Sequence, residues 1–584
     1  MPRNSLLLAL LCWAPLPAGA AAPAAPKALE AARDLAKLST DYWDWAMARD
    51  PLWATFIRHP GRDDRLADPS AEGRRKELAD IDRLAKRLSA VDPAALDEGD
   101  RVSWEILRLQ LDTGRQWHEH KFWQWDVDHM DGPQSWIMSV VEVAQPMATE
   151  KDVQALLARM AAFGPFFDAH LANLREGLAE GRLASRVAAE KTISQLKDLI
   201  AKPAHESSFA TAAKRLPAGL QDRYLPEVLR AAEAGPKPAL EKYLRFLETE
   251  YLPRARLDPM GLSGLAGGEA AYRFQIRRHT TLDKTPEELH RTGLDELEAI
   301  HAEMAEIARR LGHVGAVSSF MEKVRKDPVN FFKTREEIVE AAKALVARTR
   351  ERLPEFFGRL PKTPLEVRRI EDYQEKNDAA ARYYSPPDDL SRPGIYYINT
   401  YEPGSRPRFG MAALAAHEGL PGHHLQIALA VESGDLPAFR RHGGFNAFVE
   451  GWALYSERLA DEMGLYPDDL SRLGMLMAQA LRACRLVVDT GLHAKAWSRQ
   501  KAVDFMKENT PMSEGEIAAE VDRYIIWPGQ ALAYKVGQRE IAAIRKEAEA
   551  RQGRAFDLRA FHDAVLRPGA VPLPTLRRLV LGGE

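Results

Sequence analysis

Residues 417–424 read HEGLPGHH, and this stretch decides how the polypeptide around it must be built. His417 and Glu418 are the first half of the H-E-x-x-H motif. In that motif two histidines one helical turn apart bind a metal ion, and the glutamate acts as general base. Position 421, where the second histidine would stand, is a proline. An ordinary helix therefore cannot complete the motif.

The next histidines are His423 and His424, six and seven positions after His417. On a straight helix the side chain of His423 would point about 120° away from that of His417, and His424 would lie about 10.5 Å along the axis. One metal ion with bonds of about 2.1 Å cannot join either pair. An unbroken helix therefore fails for both histidines.

The sequence supplies a break in the helix. The proline has no N–H to bond the carbonyl of the first histidine, and Gly419 and Gly422 permit unusual backbone angles. We predict a bulge between these glycines that returns His423 to the metal, because looping out two residues is easier than looping out three. His424 is the alternative ligand, and otherwise a neighbour of the ligands or a substrate contact. A polar patch at a helix end is the simpler interpretation, but four such residues within eight favour a metal site.

The segment 445–459, FNAFVEGWALYSERL, is the best source of a third ligand. Glu450 lies in the middle of an apolar run, and a carboxylate buried there needs a partner such as a metal ion. Glu457 lies two turns later on the same helix face and could orient a ligand histidine. A surface ion pair of Glu457 with Arg458 or Arg485 is the alternative.

Two later segments place polar groups in apolar surroundings. Asp489 and His493 share a helix face; Asp489 could orient a ligand histidine and His493 could stabilise an oxyanion. Tyr534 shares a face with Gln530, and its hydroxyl could also donate to an oxyanion. Taken singly, each of these groups is more often part of a structural hydrogen bond.

Most of the chain is predicted to be helical. Thr285-Pro286-Glu287-Glu288 is a helix start with a capping box, and apolar residues at helical spacing follow up to Leu311. Similar patterns occur around 29–47, 72–90, 150–180, 186–201, 237–250, 335–352 and 468–507.

Strand signals are scarce. The best is the β-branched and aromatic run 394–400, shortly before His417. As an edge strand it could bind an extended substrate by backbone pairing. A structural strand in a small sheet is equally compatible with the sequence.

The chain of 584 residues is long enough for more than one core. We divide it into an N-terminal helical region, 21–260, and a C-terminal helical region, 261–584, that carries the chemistry. The net charge is -3, and nothing in this balance indicates the concentrated basic face that nucleic-acid binding usually needs, so we expect no nucleic-acid partner.

Residues 1–20 are predicted to be a signal peptide: Arg3 precedes a short apolar run and a small-residue cleavage site. The run is too short to span a bilayer, so we expect no stable membrane insertion after cleavage. A lipid anchor at Cys12 is not expected, because Leu11 stands where a small residue is normally required. We predict an exported protein, periplasmic or extracellular, whose remaining cysteine, Cys484, can form no internal disulfide.

Several motifs together resemble the bacterial "domain of unknown function 885" family. They are HEGLPGHHLQ, NAFVEGWALYSERL, RLVVDTGLH, WPGQALAYKVG, YYINTYEP and TTLDKTPEELHRTGL. That family is considered related to the zinc peptidases with H-E-x-x-H helices. The resemblance implies a mainly α fold like that of helical metallopeptidases, with two helical halves around a groove and a small β element before the His/Glu helix.

The resemblance also implies roles for residues. His417 would be a metal ligand, Glu418 the general base and Glu450 the third ligand. The second ligand of the helical peptidases stands in a Gly-His pair, which Gly422 and His423 match. The two-residue expansion around the proline is where this sequence departs from the pattern.

We therefore expect an exported metallopeptidase that binds one Zn²⁺ and cleaves short peptides, although histidine and carboxylate ligands suit several divalent ions. A hydrolase of another amide or ester is one alternative. A catalytically inactive, exported helical binding protein is the other.

Overall fold

The computed structural model describes residues 26–370, 375 and 379–582. This part of the chain is mainly α-helical with one small sheet, which confirms the predicted fold class. The predicted signal peptide, residues 1–20, lies outside the described residues. Among the described helices, none has the length and apolar character needed to cross a membrane.

The helices before residue 260 form the N-terminal part of the described chain. They are α1 (Pro26–Arg49), α2 (Pro51–Phe56), α3 (Ala71–Ser89), α4 (Glu98–Glu119), α5 (Pro133–Val143), α6 (Glu150–Ala161), α7 (Phe163–Glu180), α8 (Arg186–Ala201), α9 (Ser208–Ala213), α10 (Ala218–Ala234) and α11 (Pro236–Phe246). The predicted helix at 150–180 is thus two helices, α6 and α7.

The later helices carry the segments singled out above. They are α12 (Gly268–Thr280), α13 (Pro286–Arg310), α14 (Val317–Lys326), α15 (Arg335–Phe356), α16 (Met411–Glu418), α17 (His423–Val431), α18 (Ala438–Arg441), α19 (Asn446–Glu462), α20 (Asp469–Ala494), α21 (Arg499–Asn509), α22 (Glu514–Ile526), α23 (Ala533–Gln552), α24 (Leu558–Leu566) and α25 (Leu573–Leu581). The capping box of α13, between Thr285 and Glu288, is formed as predicted. The pattern at 468–507 forms α20 and most of α21, with a turn between them.

The sheet has three strands: β1 (Leu365–Arg369), β2 (Ala381–Tyr384) and β3 (Gly394–Ile398). Their order is β1-β3-β2, with β3 parallel to β1 and antiparallel to β2. The predicted strand is therefore present, but it is central. Its backbone groups are paired on both sides, so the idea that it binds substrate as an edge strand is wrong.

Two apolar cores organise the described chain. The smaller one is built from residues 127–255 with Leu52, and the larger one from residues 262–576 with residues of α1, α3 and α4. The smaller core ends before residue 260, and helices α1, α3 and α4 contribute residues to the larger core. The division of the chain at residue 260 stays a prediction.

Helices α19 and α23 approach each other closely enough for their backbones to touch. A Cβ atom built on Gly451 would lie 2.5 Å from the Cα of Gly537, and one built on Gly537 would lie 1.7 Å from the carbonyl oxygen of Ala447. Only glycine permits this approach. The contact places Glu450 of α19 and Tyr534 of α23 in one region.

Substituting Gly537→Ala should lower the free energy of unfolding by about 1–3 kcal/mol or more, because the new methyl group has no room without a backbone shift. Urea or thermal unfolding measures the change. Gly515→Ala on α22 is the matched control: nothing lies within 4 Å of its Cβ position. It should leave the stability unchanged or raise it by up to about 1 kcal/mol. Equal stability of Gly537→Ala and the wild type would contradict the close contact.

Candidate metal centre

The polypeptide between His417 and His423 leaves the helical conformation. Helix α16 ends at Glu418 and α17 begins at His423, and the Leu420–Pro421 peptide bond between them is cis. Gly419 has φ −103° and ψ −112°, and Gly422 has φ −76° and ψ −125°. The prediction of a bulge within one continuous helix is therefore wrong. Helix α16 ends completely, and a separate helix, α17, carries His423.

A side chain at position 422 would not fit this break. A Cβ atom there would lie 2.0 Å from the carbonyl oxygen of His417. The Trp452 indole N–H donates to the carbonyl oxygen of Pro421 at 2.9 Å and ties the connection to α19. The break is thus held against the helix that carries Glu450.

His417, His423 and Glu450 come together as a group of three possible metal ligands. The Nε2 atoms of His417 and His423 each lie 3.5 Å from Glu450 Oε2, and all three ligand atoms lie within 4.8 Å of one another. A tetrahedral ion with bonds of about 2.1 Å holds its ligand atoms about 3.4 Å apart. The spacing therefore fits a single ion.

The oxygen at the centre of this group has no hydrogen-bond partner among the described residues. Glu450 Oε2 is buried, and 3.5 Å is long for a hydrogen bond from an imidazole. Buried polar atoms without partners are rare in folded proteins and often mark an ion or water site. This orphaned carboxylate oxygen, facing two imidazoles, fits a divalent cation.

The imidazoles and carboxylates of this site lie close enough together to shift each other's pKa values. Burial lowers the pKa of His417, but the carboxylates of Glu450 and Glu457 outweigh it and raise the pKa to about 9. Burial raises the pKa of Glu450, and the two imidazoles outweigh that effect and hold the pKa well below its usual range.

Glu457 orients one of the two histidines. Its Oε1 accepts a hydrogen bond from His417 Nδ1 at 2.9 Å, and the side chain is 1% exposed. This bond leaves Nε2 of His417 facing Glu450, as a ligand nitrogen requires. The surface ion pair considered as the alternative is not formed: Arg458 pairs with Glu303 instead.

His424 is turned away from the group. Its Nδ1 is 3.0 Å from the Tyr383 hydroxyl and its Nε2 is 3.2 Å from the carbonyl oxygen of Thr363, so both ring nitrogens are occupied. Burial lowers its pKa to about 4. Of the two candidates, the structure brings His423 to Glu450, and His424 instead ties α17 to the sheet.

Glu418 follows His417 directly in the sequence, and Tyr534 contacts the ring of His417. Glu418 is the last residue of α16, is partly exposed and forms no hydrogen bond with the described part of the chain. The ring of Tyr534 stacks on that of His417, with centroids 6.4 Å apart and planes inclined by 17°. Burial raises the pKa of Tyr534, so its hydroxyl stays protonated at neutral pH.

His493 and Asp489 have structural partners and do not join the group. His493 Nδ1 accepts from the Leu262 N–H at 3.0 Å, and its Nε2 lies 2.9 Å from the carbonyl oxygen of Tyr524. It therefore has no free donor for an oxyanion, and burial lowers its pKa to about 4. Asp489 accepts from the Tyr272 hydroxyl at 2.6 Å rather than from a ligand histidine. The predicted roles of both residues are wrong.

Two arginines lie close to the site. From the sequence, Arg485 is considered only as a surface ion-pair partner of Glu457, and Arg482 is not considered. Arg485 lies over the ring of Tyr534, with Cζ 4.4 Å from the ring centroid, and Arg482 lies 3.7 Å from Glu457. The signal that could have identified them is the presence of two arginines in the otherwise apolar segment 481–488. A buried helix keeps such charges only when they have partners.

Solved structures share this fold. A protein from Colwellia psychrerythraea described as a putative lipoprotein matches with a TM-score of 0.89 and 28% identity, over 94% of this chain and 98% of that one. A putative lipoprotein of unknown function from Shewanella oneidensis matches with a TM-score of 0.72 and 21% identity, over 94% of this chain and 99% of that one. The second likeness concerns the fold alone. No curated protein matches the chain.

A family model covers almost the whole described chain. It is the model described as bacterial protein of unknown function (DUF885), and it matches residues 51–580. The matched range includes every residue of the candidate metal centre. The chain belongs to this family of bacterial proteins, DUF885.

Proposed function

We propose that this protein is an exported, metal-dependent hydrolase, and specifically a metallopeptidase that cleaves short peptides. The observation that carries the proposal is the orphaned Glu450 Oε2 at 3.5 Å from the Nε2 atoms of both His417 and His423. Two histidines and one glutamate form a ligand set of hydrolytic zinc sites, which leave one position open for water. The relationship to the helical zinc peptidases is part of this proposal.

Zn²⁺, one per chain, is the proposed cofactor. His417, His423 and Glu450 would hold it, and Glu457 would keep the imidazole of His417 in the ligand tautomer through its 2.9 Å hydrogen bond. Other divalent ions accept the same ligands, so mass-spectrometric metal analysis of the purified protein is needed to identify the bound ion.

A cation bound there would polarise the substrate carbonyl and make a water molecule acidic enough to attack at neutral pH. Glu418 accepts the proton of the attacking water and passes it to the amine that leaves. Its side chain is partly exposed and forms no hydrogen bond with the described residues, which supports this role. The hydroxyl of Tyr534, next to His417, donates a hydrogen bond to the oxyanion of the tetrahedral intermediate.

Export is the proposed location, periplasmic or extracellular. The similar structure from Colwellia psychrerythraea is of a protein described as a putative lipoprotein, which supports a place in the cell envelope or outside it. The three-part pattern of residues 1–20 supports it independently. The expected partner is a peptide or another small amide.

Replacing His423→Ala should abolish stoichiometric metal binding, because it removes one of three ligands. His424→Ala is the matched control: it removes the same side chain one position later and should keep the metal, although it loses hydrogen bonds with Tyr383 and Thr363. Mass-spectrometric metal analysis of dialysed proteins measures both. Loss of metal from His424→Ala but not from His423→Ala would overturn the ligand assignment.

Replacing Glu418→Gln should lower the rate of peptide hydrolysis by about 100- to 10,000-fold, because it removes the proton acceptor. The metal content should stay at the wild-type value. Glu366→Gln provides the control, since Glu366 is an exposed carboxylate on β1 that pairs with Arg368. The readout is the digestion of a peptide library by the metal-loaded proteins.

Full activity of Glu418→Gln would refute this mechanism. Hydrolysis of esters or other amides with no cleavage of peptides would identify a different hydrolase. A wild-type protein that binds no metal and shows no change in stability with a chelator would instead be a binding protein.

A further inference from the structure

A buried arginine, Arg485, contacts the ring of Tyr534, the tyrosine proposed to stabilise the oxyanion. Arg485 of α20 is 6% exposed, and its Cζ lies 4.4 Å from the centroid of the Tyr534 ring. That ring stacks in turn on His417. The guanidinium is thus two ring contacts away from His417, one of the three proposed metal ligands.

The donors of Arg485 are incompletely used. Its Nε donates to the Tyr524 hydroxyl at 3.0 Å and its Nη2 donates to Glu520 at 2.8 Å. Its Nη1 is buried and has no hydrogen-bond partner within the part of the chain that the structure describes. An unpaired donor on a buried cation is costly, and in a native protein it calls for an explanation such as a catalytic role or a bound ion or water.

The charge around Arg485 is also unbalanced. Glu520 is shared with a second buried guanidinium, that of Arg523, whose Nη2 lies 2.9 Å from the same oxygen. Within the described part of the chain, Glu520 is the carboxylate at ion-pair distance from both cations. Asp489 also lies near Arg523, but burial raises its pKa to about 7. Burial raises the pKa of both Tyr524 and Tyr534, so neither phenol supplies a compensating negative charge at neutral pH. One more carboxylate would balance the positive charge of the cluster formed by Arg485, Arg523 and Glu520.

We infer that Arg485 binds a carboxylate of the substrate, and that the substrate is a short peptide held by its free C-terminal carboxylate. This inference rests on the proposed function. Arginine presents paired N–H donors that match a carboxylate, and the pair is strongest where water is excluded. The two ring contacts from His417 to Arg485 span no more than about three residues of extended chain. The enzyme would therefore release short C-terminal fragments.

The test compares matched peptides that differ only at the C-terminus: a free acid, its amide, and an amide whose last residue is aspartate. For the metal-loaded wild type, kcat/KM for the acid should exceed that for the amide by about 10- to 100-fold, the usual worth of a hydrogen bond to a charged group. If the aspartyl amide equals the acid, the carboxylate bound is that of a side chain.

Arg485→Gln should reduce the acid-to-amide ratio to near one, mainly through a higher KM for the acid. Arg499→Gln is the matched control, because Arg499 also pairs with a carboxylate of α22, Asp522, which keeps Lys191 as a second partner. It should retain the preference for the acid. Metal content and unfolding temperature of each variant report on the fold.

Arg485→Lys keeps the positive charge beside Glu520, so it can be tested if Arg485→Gln fails to fold. Its ammonium group cannot reach Tyr524, Glu520 and a substrate carboxylate together, so most of the acid preference should be lost. A ratio equal to that of the wild type in both Arg485 variants would overturn the inference.

Calorimetric titration of the wild type with an N-acetyl dipeptide and with its amide separates this inference from the proposed function. Tighter binding of the acid, lost in Arg485→Gln, supports the carboxylate site even if no peptide is hydrolysed. Cleavage of acid and amide at equal rates would overturn the carboxylate site and leave the proposed hydrolase intact. Absence of both cleavage and selective binding would overturn both.

Discussion

The buried contact between Glu450 and the two imidazoles of His417 and His423 is the constraint around which the C-terminal region is arranged. A carboxylate in an apolar helix interior is stable only when opposite charge or a cation faces it. Satisfying Glu450 requires α16, α17 and α19 to meet at one place. Glu457 adds a second buried carboxylate on the same helix and binds the far side of His417.

Close backbone packing makes this arrangement possible. The glycines Gly451 and Gly537 let α19 and α23 touch, which brings Tyr534 against His417. The indole of Trp452 anchors the break between α16 and α17 through the carbonyl of Pro421. Small residues and one large aromatic residue thus position groups that are distant in sequence.

Polar side chains elsewhere in the same helices serve the fold. His493, Asp489 and His424 each have their hydrogen-bonding atoms engaged by backbone groups or tyrosines. Glu450 and Arg485 differ from these three side chains, because Glu450 Oε2 and Arg485 Nη1 are buried without a hydrogen-bond partner among the described residues.

The sequence alone determined the helical class, the helix start at Thr285, the need for a break after Glu418, and the candidate ligands His417 and Glu450. These follow from local rules of periodicity, capping and the geometry of proline and glycine. Only the tertiary structure decided that His423 rather than His424 faces Glu450, that β3 is central, and that Asp489 and His493 have other partners. The physical reason is that local sequence sets the face of a helix on which a side chain lies, whereas its partner depends on which distant element packs against that face.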